Sequence, residues 1–149
     1  MKPFKQFFNE KIVIGLNEFM NLDGIGRLIC KVDSGNGAYN VLHGEDIDRQ
    51  GNKVIFTTYD DSGKKHKISK DIVKLITINV GAGHEEERPV VLFRVGFNNN
   101  QFDNVPFSIG NRSKNKHKVL VGLEFIKQLD ALIDVDSEYI AGDGVEVDY

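Results

Sequence analysis

Leu28-Ile29-Cys30-Lys31-Val32-Asp33-Ser34-Gly35 runs an apolar strand straight into an acidic residue at a tight, glycine-permitted turn. A carboxylate at the end of a core strand is held by the sheet, and the small hydroxyl and glycine after it let another backbone approach closely. Such a carboxylate can do chemistry. Asp-Ser-Gly is also a common turn tripeptide, so the stretch acquires catalytic meaning only from what accompanies it.

The 149-residue chain has the length of one domain of ordinary size, able to build a core without disulfides or metals. Residues 1–149 are therefore expected to form a single domain, with residues 1–10 as an N-terminal arm and residues 142–149 as an acidic tail. A formal net charge of -3 gives the whole chain no attraction for phosphate, which argues against nucleic acid as a partner. No apolar run approaches the length of a membrane-spanning helix. Met1-Lys2-Pro3-Phe4-Lys5 leads into Gln6 and Asn9 rather than a signal-peptide core, so the expectation is a protein not secreted by a signal peptide. The single cysteine, Cys30, cannot pair within the chain and reads as a small core hydrophobe.

Around the anchoring strand the chain reads as mainly β. Phe4, Phe7 and Phe8 cluster at the polar N-terminus. Lys11 to Phe19 forms a strand expected to pair with the Asp33 strand across Asp23-Gly24 and Gly26. Asp46-x-Asp48-x-Gln50-Gly51 imitates the start of a calcium loop, but position twelve is Thr57 rather than a bidentate glutamate, and a solvated turn is expected. Lys53 to Tyr59 and Lys65 to Ile78 flank a second Asp-Ser-Gly at Asp61-Ser62-Gly63, set among lysines at a wet loop tip.

Gly81-Ala82-Gly83-His84-Glu85-Glu86-Glu87-Arg88 interrupts two apolar strands, the second running from Pro89 to Phe97. Its histidine and glutamates lack the paired histidines of a zinc helix and the ordered ligand set of a structural site, so no metal is expected. Asn98 to Gln101 is a polar turn, and Asn104 to Ile109 another strand. Arg112 to Lys118 is basic without interleaved aromatics, which describes a solvated loop. Val119-Leu120-Val121-Gly122 is a short apolar strand closed by glycine. Leu123 to Leu129 follows with apolar residues at helical spacing, and Ala131 to Val135 returns as a strand.

Many short strands, an Asp-Ser-Gly after an early strand, and an apolar segment ending in glycine just before the helix form a constellation. It resembles the retropepsin-like aspartic protease domains of the ATP-dependent zinc protease family, and more distantly the retroviral proteases. The resemblance covers about residues 12 to 141. Gly15, Glu18, Leu22 and Ile25 follow the opening pattern of that family, and Lys31-Val32-Asp33-Ser34-Gly35 is similar to its Lys-Val-Asp-Thr-Gly. Leu42-His43, Gly83-x-x-Glu86-x-Arg88-Pro89-Val90-Val91, Arg112-Ser113, Val119-Leu120-Val121-Gly122 and Ile133-Asp134-Val135 with Tyr139 continue it in order. Three positions depart from the pattern. Ser34 replaces threonine and keeps the hydroxyl, Asn36 replaces alanine, and Leu123 stands where an arginine ties the helix to the active-site loop.

The resemblance implies an all-β, closed retropepsin-like barrel with one short C-terminal helix. It implies Asp33, Ser34 and Gly35 as the catalytic turn, Gly81, Gly83, Glu86 and Arg88 as a flap or substrate-binding element, and Val121, Gly122 and Arg112 as structural support. Aspartic proteolysis uses two carboxylates that share a proton, and one chain supplies one. The implied enzyme is a homodimer cleaving peptide or protein substrates, with Asp33 of each copy at the twofold axis. Glu86 and Arg88 are read as a fixed ion pair rather than part of a moving cover. No ligand set supports the zinc of the family label, and no phosphate-cradling Gly-rich Lys-Ser/Thr motif supports ATP, so no cofactor is expected. The competing reading is an inactive protease-like module in an assembly such as a phage virion. The corresponding locations are the cytoplasm or a virus particle.

Overall fold

The computed structural model describes residues 11–143. The Phe4, Phe7 and Phe8 cluster, the N-terminal arm and the end of the acidic tail lie outside the described residues. Within them the elements are β1 (Ile12–Gly15), β2 (Asn17–Leu22), β3 (Gly26–Val32), β4 (Asn40–His43), β5 (Glu45–Gln50), β6 (Lys53–Tyr59) and β7 (Lys65–Asp71). They continue with β8 (Lys74–Gly81), β9 (His84–Phe97), β10 (Asn100–Gly110), β11 (Val119–Val121), α1 (Leu123–Leu129) and β12 (Ala131–Asp134).

The anchoring strand behaves as its period-2 pattern requires. In β3, Leu28, Cys30 and Val32 are buried while Arg27, Ile29 and Lys31 point away. It forms the expected hairpin with β2, in register Glu18↔Cys30 and Leu22↔Gly26. Gly24 and Gly26 turn the chain at φ +80° and +106°, values that suit glycine.

The main sheet runs β10-β4-β11-β3-β2-β9-β8, and β9 pairs again with β10, so six strands return on themselves as a ring. The fourteen-residue β9 makes this closure possible. It pairs with β8 through its first half and with β10 through its second, and its end meets β2. The ring is filled by side chains such as Met20, Leu42, Phe93, Phe107 and Val119, none exposed beyond 1%. Phe93 and Phe107 meet edge to face at 5.6 Å. α1 docks on the ring through Phe125, which meets Phe97 and Phe102 edge to face. That tertiary contact holds a helix too short to be stable alone. A three-stranded sheet, β5-β6-β7, and a two-stranded parallel sheet, β1-β12, complete the architecture.

The differences from the sequence reading have local causes. The strand expected over Lys11–Phe19 breaks at Leu16, because the buried Glu18 carboxylate accepts the Gly15 N–H at 2.6 Å. β1 then pairs with β12 rather than continuing into the hairpin. The segment read as a solvated turn at Asp46–Gln50 is instead strand β5, with Asp46 at φ +51° where the register shifts against β6. Lys65 to Ile78 is two strands, since β7 leaves β6 at Asp71 and β8 joins β9 from Lys74. The connection read as Gly81–Arg88 tightens to a turn at Gly81–Gly83, and His84 already belongs to β9.

Candidate active site

Asp33 stands immediately after β3, where the chain leaves the ring. Its N–H donates to the Val121 carbonyl at 2.9 Å, continuing the parallel pairing of β3 with β11, and the Val32 N–H donates to Leu16 O at 2.8 Å. The backbone of the carboxylate is therefore fixed from two sides. The side chain is half-buried, and its Oδ1 accepts the Gly35 N–H at 3.1 Å, while Ser34 and Gly35 are exposed. This is an Asx-type turn that aims a carboxylate outward from a rigid base.

Val121 and Gly122 lie directly beneath that turn. A Cβ at Gly122 would sit 2.9 Å from the Ala38 carbonyl oxygen and 3.0 Å from that of Asn36, so only glycine lets the Asp33 loop pass so close to the start of α1. The Gly122 N–H donates to Asn40 Oδ1 and the Leu123 N–H to Asn36 O, both at 2.8 Å. One main-chain bond and one side-chain bond thus tie the start of the helix to the loop. Asn36 also braces itself, accepting the Ala38 N–H and donating to Tyr39 O. Sequence reading noted Asn36 only as a departure and missed Asn40, since an asparagine in a glycine-rich loop looks like ordinary turn chemistry.

The remaining predicted site residues divide into two groups. Gly81 and Gly83, at φ +98° and +76°, form the exposed tip of the β8–β9 hairpin. Glu86 and Arg88 sit at its base, where Arg88 Nε donates to Glu86 Oε2 at 2.8 Å. The Arg88 side chain is only 14% exposed and lies flat on Gly110, whose missing Cβ leaves the room for it. On the other face, Arg49 of β5 pairs with Glu87 at 2.7 Å. The base of the hairpin is thus pinned while its tip is free of the core.

Arg112 lies in the loop between β10 and β11, with its Nε donating to His117 O at 2.8 Å. Burial and the nearby Arg88 pull the Arg112 guanidinium below its ordinary value, opposed by Asp33, whose negative charge acts to raise it. Arg112 thus feels both charges, with opposite effect. His117 is also lowered, by burial first and then by Lys31, Lys116 and Arg112, with Glu138 opposing. Two clefts open beside this region. One of about 760 Å³ is lined by Tyr39, Asn40, Pro106 and Phe125, and one of about 580 Å³ by Ile29, Tyr59, His117 and Tyr139. Among the described residues no group of three or more His, Cys, Asp or Glu is placed to hold a metal ion. None of the helices in that range is long and apolar enough to cross a membrane.

A six-strand ring with an Asp-Ser-Gly turn at the end of one strand, backed by a short apolar strand, a glycine and a helix, defines the retropepsin-like fold. The model of the RimB-like family, described as retropepsin-like aspartic endopeptidase RimB, matches residues 13–143. This chain belongs to that family. Among solved structures it is similar to the crystal structure of Lpg0085, a protein of unknown function from Legionella pneumophila subsp. pneumophila str. Philadelphia 1. The TM-score is 0.72 at 20% identity, covering 89% of this chain and 100% of that one, a likeness of fold alone. No curated protein matches the sequence significantly.

Proposed function

We propose that this protein is an aspartic-type endopeptidase working as a homodimer, in which Asp33 from each of two copies forms the catalytic pair. The observation that carries the reading is the placement of Asp33, a half-buried carboxylate on an exposed turn whose backbone is fixed by Val121 of β11 and by the Leu16 carbonyl just before β2. One carboxylate per chain is half of what the chemistry needs, and a twofold partner is the economical source of the other. Two carboxyl groups that close together cannot both ionise. The ionised one takes a proton from water as it attacks the peptide carbonyl carbon, and the protonated one donates to the carbonyl oxygen. Collapse of the resulting diol, with a proton delivered to the amine nitrogen, breaks the C–N bond. Ser34 and the Gly35 N–H flank the carboxylate, and the free tip at Gly81–Gly83 is the element positioned to contact an extended substrate.

The missing arginine at Leu123 favours an inert assembly module, but the start of α1 is still tied to the Asp33 loop, by the main-chain carbonyl of residue 36 on the Leu123 N–H and the Asn40 side chain on the Gly122 N–H. The test is cleavage of an unstructured peptide mixture across acidic and neutral pH by wild type and Asp33→Asn, with oligomeric state measured by sedimentation. The wild type should be dimeric and active with a bell-shaped profile whose apparent values belong to the pair, and the variant folded and inactive. A wild type as inert as Asp33→Asn would leave the assembly-module reading in its place.

A further inference from the structure

The loop of residues 111–118 takes its shape from a side chain that peptide hydrolysis as described leaves without a task. His43 ends β4 and has no exposed surface. The Arg112 backbone N–H, which can only donate, lies 2.8 Å from His43 Nδ1, so Nδ1 is the bare acceptor and the ring proton is on Nε2. Nε2–H then donates to Glu45 Oε2 at 2.7 Å, and the Tyr59 hydroxyl donates to Glu45 Oε1 at 3.3 Å. The backbone N–H of His43 donates to Lys118 O, closing the far end of the same loop. Lys118 Nζ and Arg112 Nε complete it by donating to the Arg112 and His117 carbonyls.

We propose that His43 is a positioning residue for the peptidase: backed by Glu45, it holds the Arg112 backbone amide and so fixes the 111–118 loop that leads into β11, whose Val121 carbonyl accepts the Asp33 N–H. The inference rests on the peptidase reading. His43 grips both ends of that loop, taking the Arg112 N–H on Nδ1 and giving its own N–H to Lys118 O, so the entry into β11 depends on where this residue sits. An imidazole held as one tautomer between a fixed donor and a fixed acceptor supplies that constraint. Turning the ring over would set donor against donor at Arg112.

The experiment compares amide hydrogen exchange by NMR with peptide-cleavage kinetics in wild type, His43→Asn and His43→Gln. Asparagine places its side-chain oxygen where Nδ1 sits, whereas glutamine reaches toward Glu45 and leaves the Arg112 N–H without an acceptor. Exchange at Arg112 should stay within about threefold of wild type in His43→Asn and rise roughly tenfold or more in His43→Gln. The value of kcat should fall in the same order, with KM changing less. Equal effects of the two variants, tracking side-chain size alone, would overturn the proposal. Different Arg112 exchange with equal kcat would overturn the positioning role while leaving the peptidase reading intact. An inert wild type would overturn the peptidase reading and this inference with it. If His43→Gln fails to fold, Glu45→Ala at the partly exposed end of the relay should speed Arg112 exchange and lower kcat, and unchanged values of both would refute the inference.

Discussion

Replacing Glu18 should cost more stability than any other single carboxylate change in this protein. The residue has no exposed surface, and its two oxygens accept three backbone N–H groups: Gly15 at 2.6 Å, Ala141 at 3.0 Å and Ile140 at 3.2 Å. Glu18→Ala leaves those donors without a partner and opens a void beside Cys30, its cross-strand neighbour. A buried donor left unsatisfied costs about 1–3 kcal/mol. Gly15 and Ala141 are buried, whereas Ile140 is 47% exposed and its N–H can turn to water, so two donors count and the sum is about 2–6 kcal/mol. Glu18→Gln keeps the volume but sets an amide NH2 among donors, for about 1–3 kcal/mol. Against a total of about 5–15 kcal/mol for an ordinary domain, the alanine variant should be visibly crippled. Urea denaturation at neutral pH gives the values, provided the slope with denaturant stays constant. Amide exchange should also rise at Gly15 and Ala141 before it rises in β9. An alanine variant within 0.5 kcal/mol of wild type, as an order-of-magnitude bound, would refute the view that this carboxylate staples β1 and the C-terminal segment to the ring.

Cys30 should resist iodoacetamide at pH 8 and label only on unfolding, because burial and then the Glu18 charge push its thiol up to about 12; rapid labelling of the native protein would contradict its place in the core. For Asp60, burial acts to raise the carboxyl but is outweighed by hydrogen bonds from His66, the Ser62 hydroxyl and the Lys64 and Ser62 amides, leaving it below its ordinary value. A lowered folded-state value means the stability is present above the ordinary 3.8 and is lost as pH falls below it. Melting temperature followed from pH 5 downward should therefore decline less steeply in Asp60→Asn than in wild type. Arg88→Ala should lower stability by about 1–2 kcal/mol, mostly through the packing of its guanidinium end on Gly110; an unchanged melting temperature with altered peptide binding would instead mark Arg88 as part of a cover.

The fold was largely legible because its signals are local. Alternation in β3, the Asp23–Gly26 turn, the apolar run before Gly122 and the helical spacing of α1 each declare themselves within a few residues. The ladder between Val119–Val121 and Cys30–Val32 follows the same logic, since two short apolar strands must pair to bury their faces. Segments that went astray are those where a distant residue overrules the local pattern. Glu18 breaks the first strand at Leu16, and β5 pairs with β6 although its acidic residues read as a turn. The turn at Asp33, Ser34 and Gly35 was legible because its residues are adjacent in the chain. The pairings of Asn40 with Gly122 and of His43 with the Arg112 amide were not, because those partners lie 82 and 69 positions away.

By itself, then, the sequence determined most of the element types and the family pattern, since propensity, periodicity and turn residues act over short spans of chain. Tertiary structure alone decided that β9 would close the strands into a ring, that the Asn40 side chain would reach the Gly122 amide, and that Arg88 would lie on Gly110. Those outcomes depend on which surfaces and which unpaired donors meet once the core collapses, and no spacing along the chain encodes such a meeting directly.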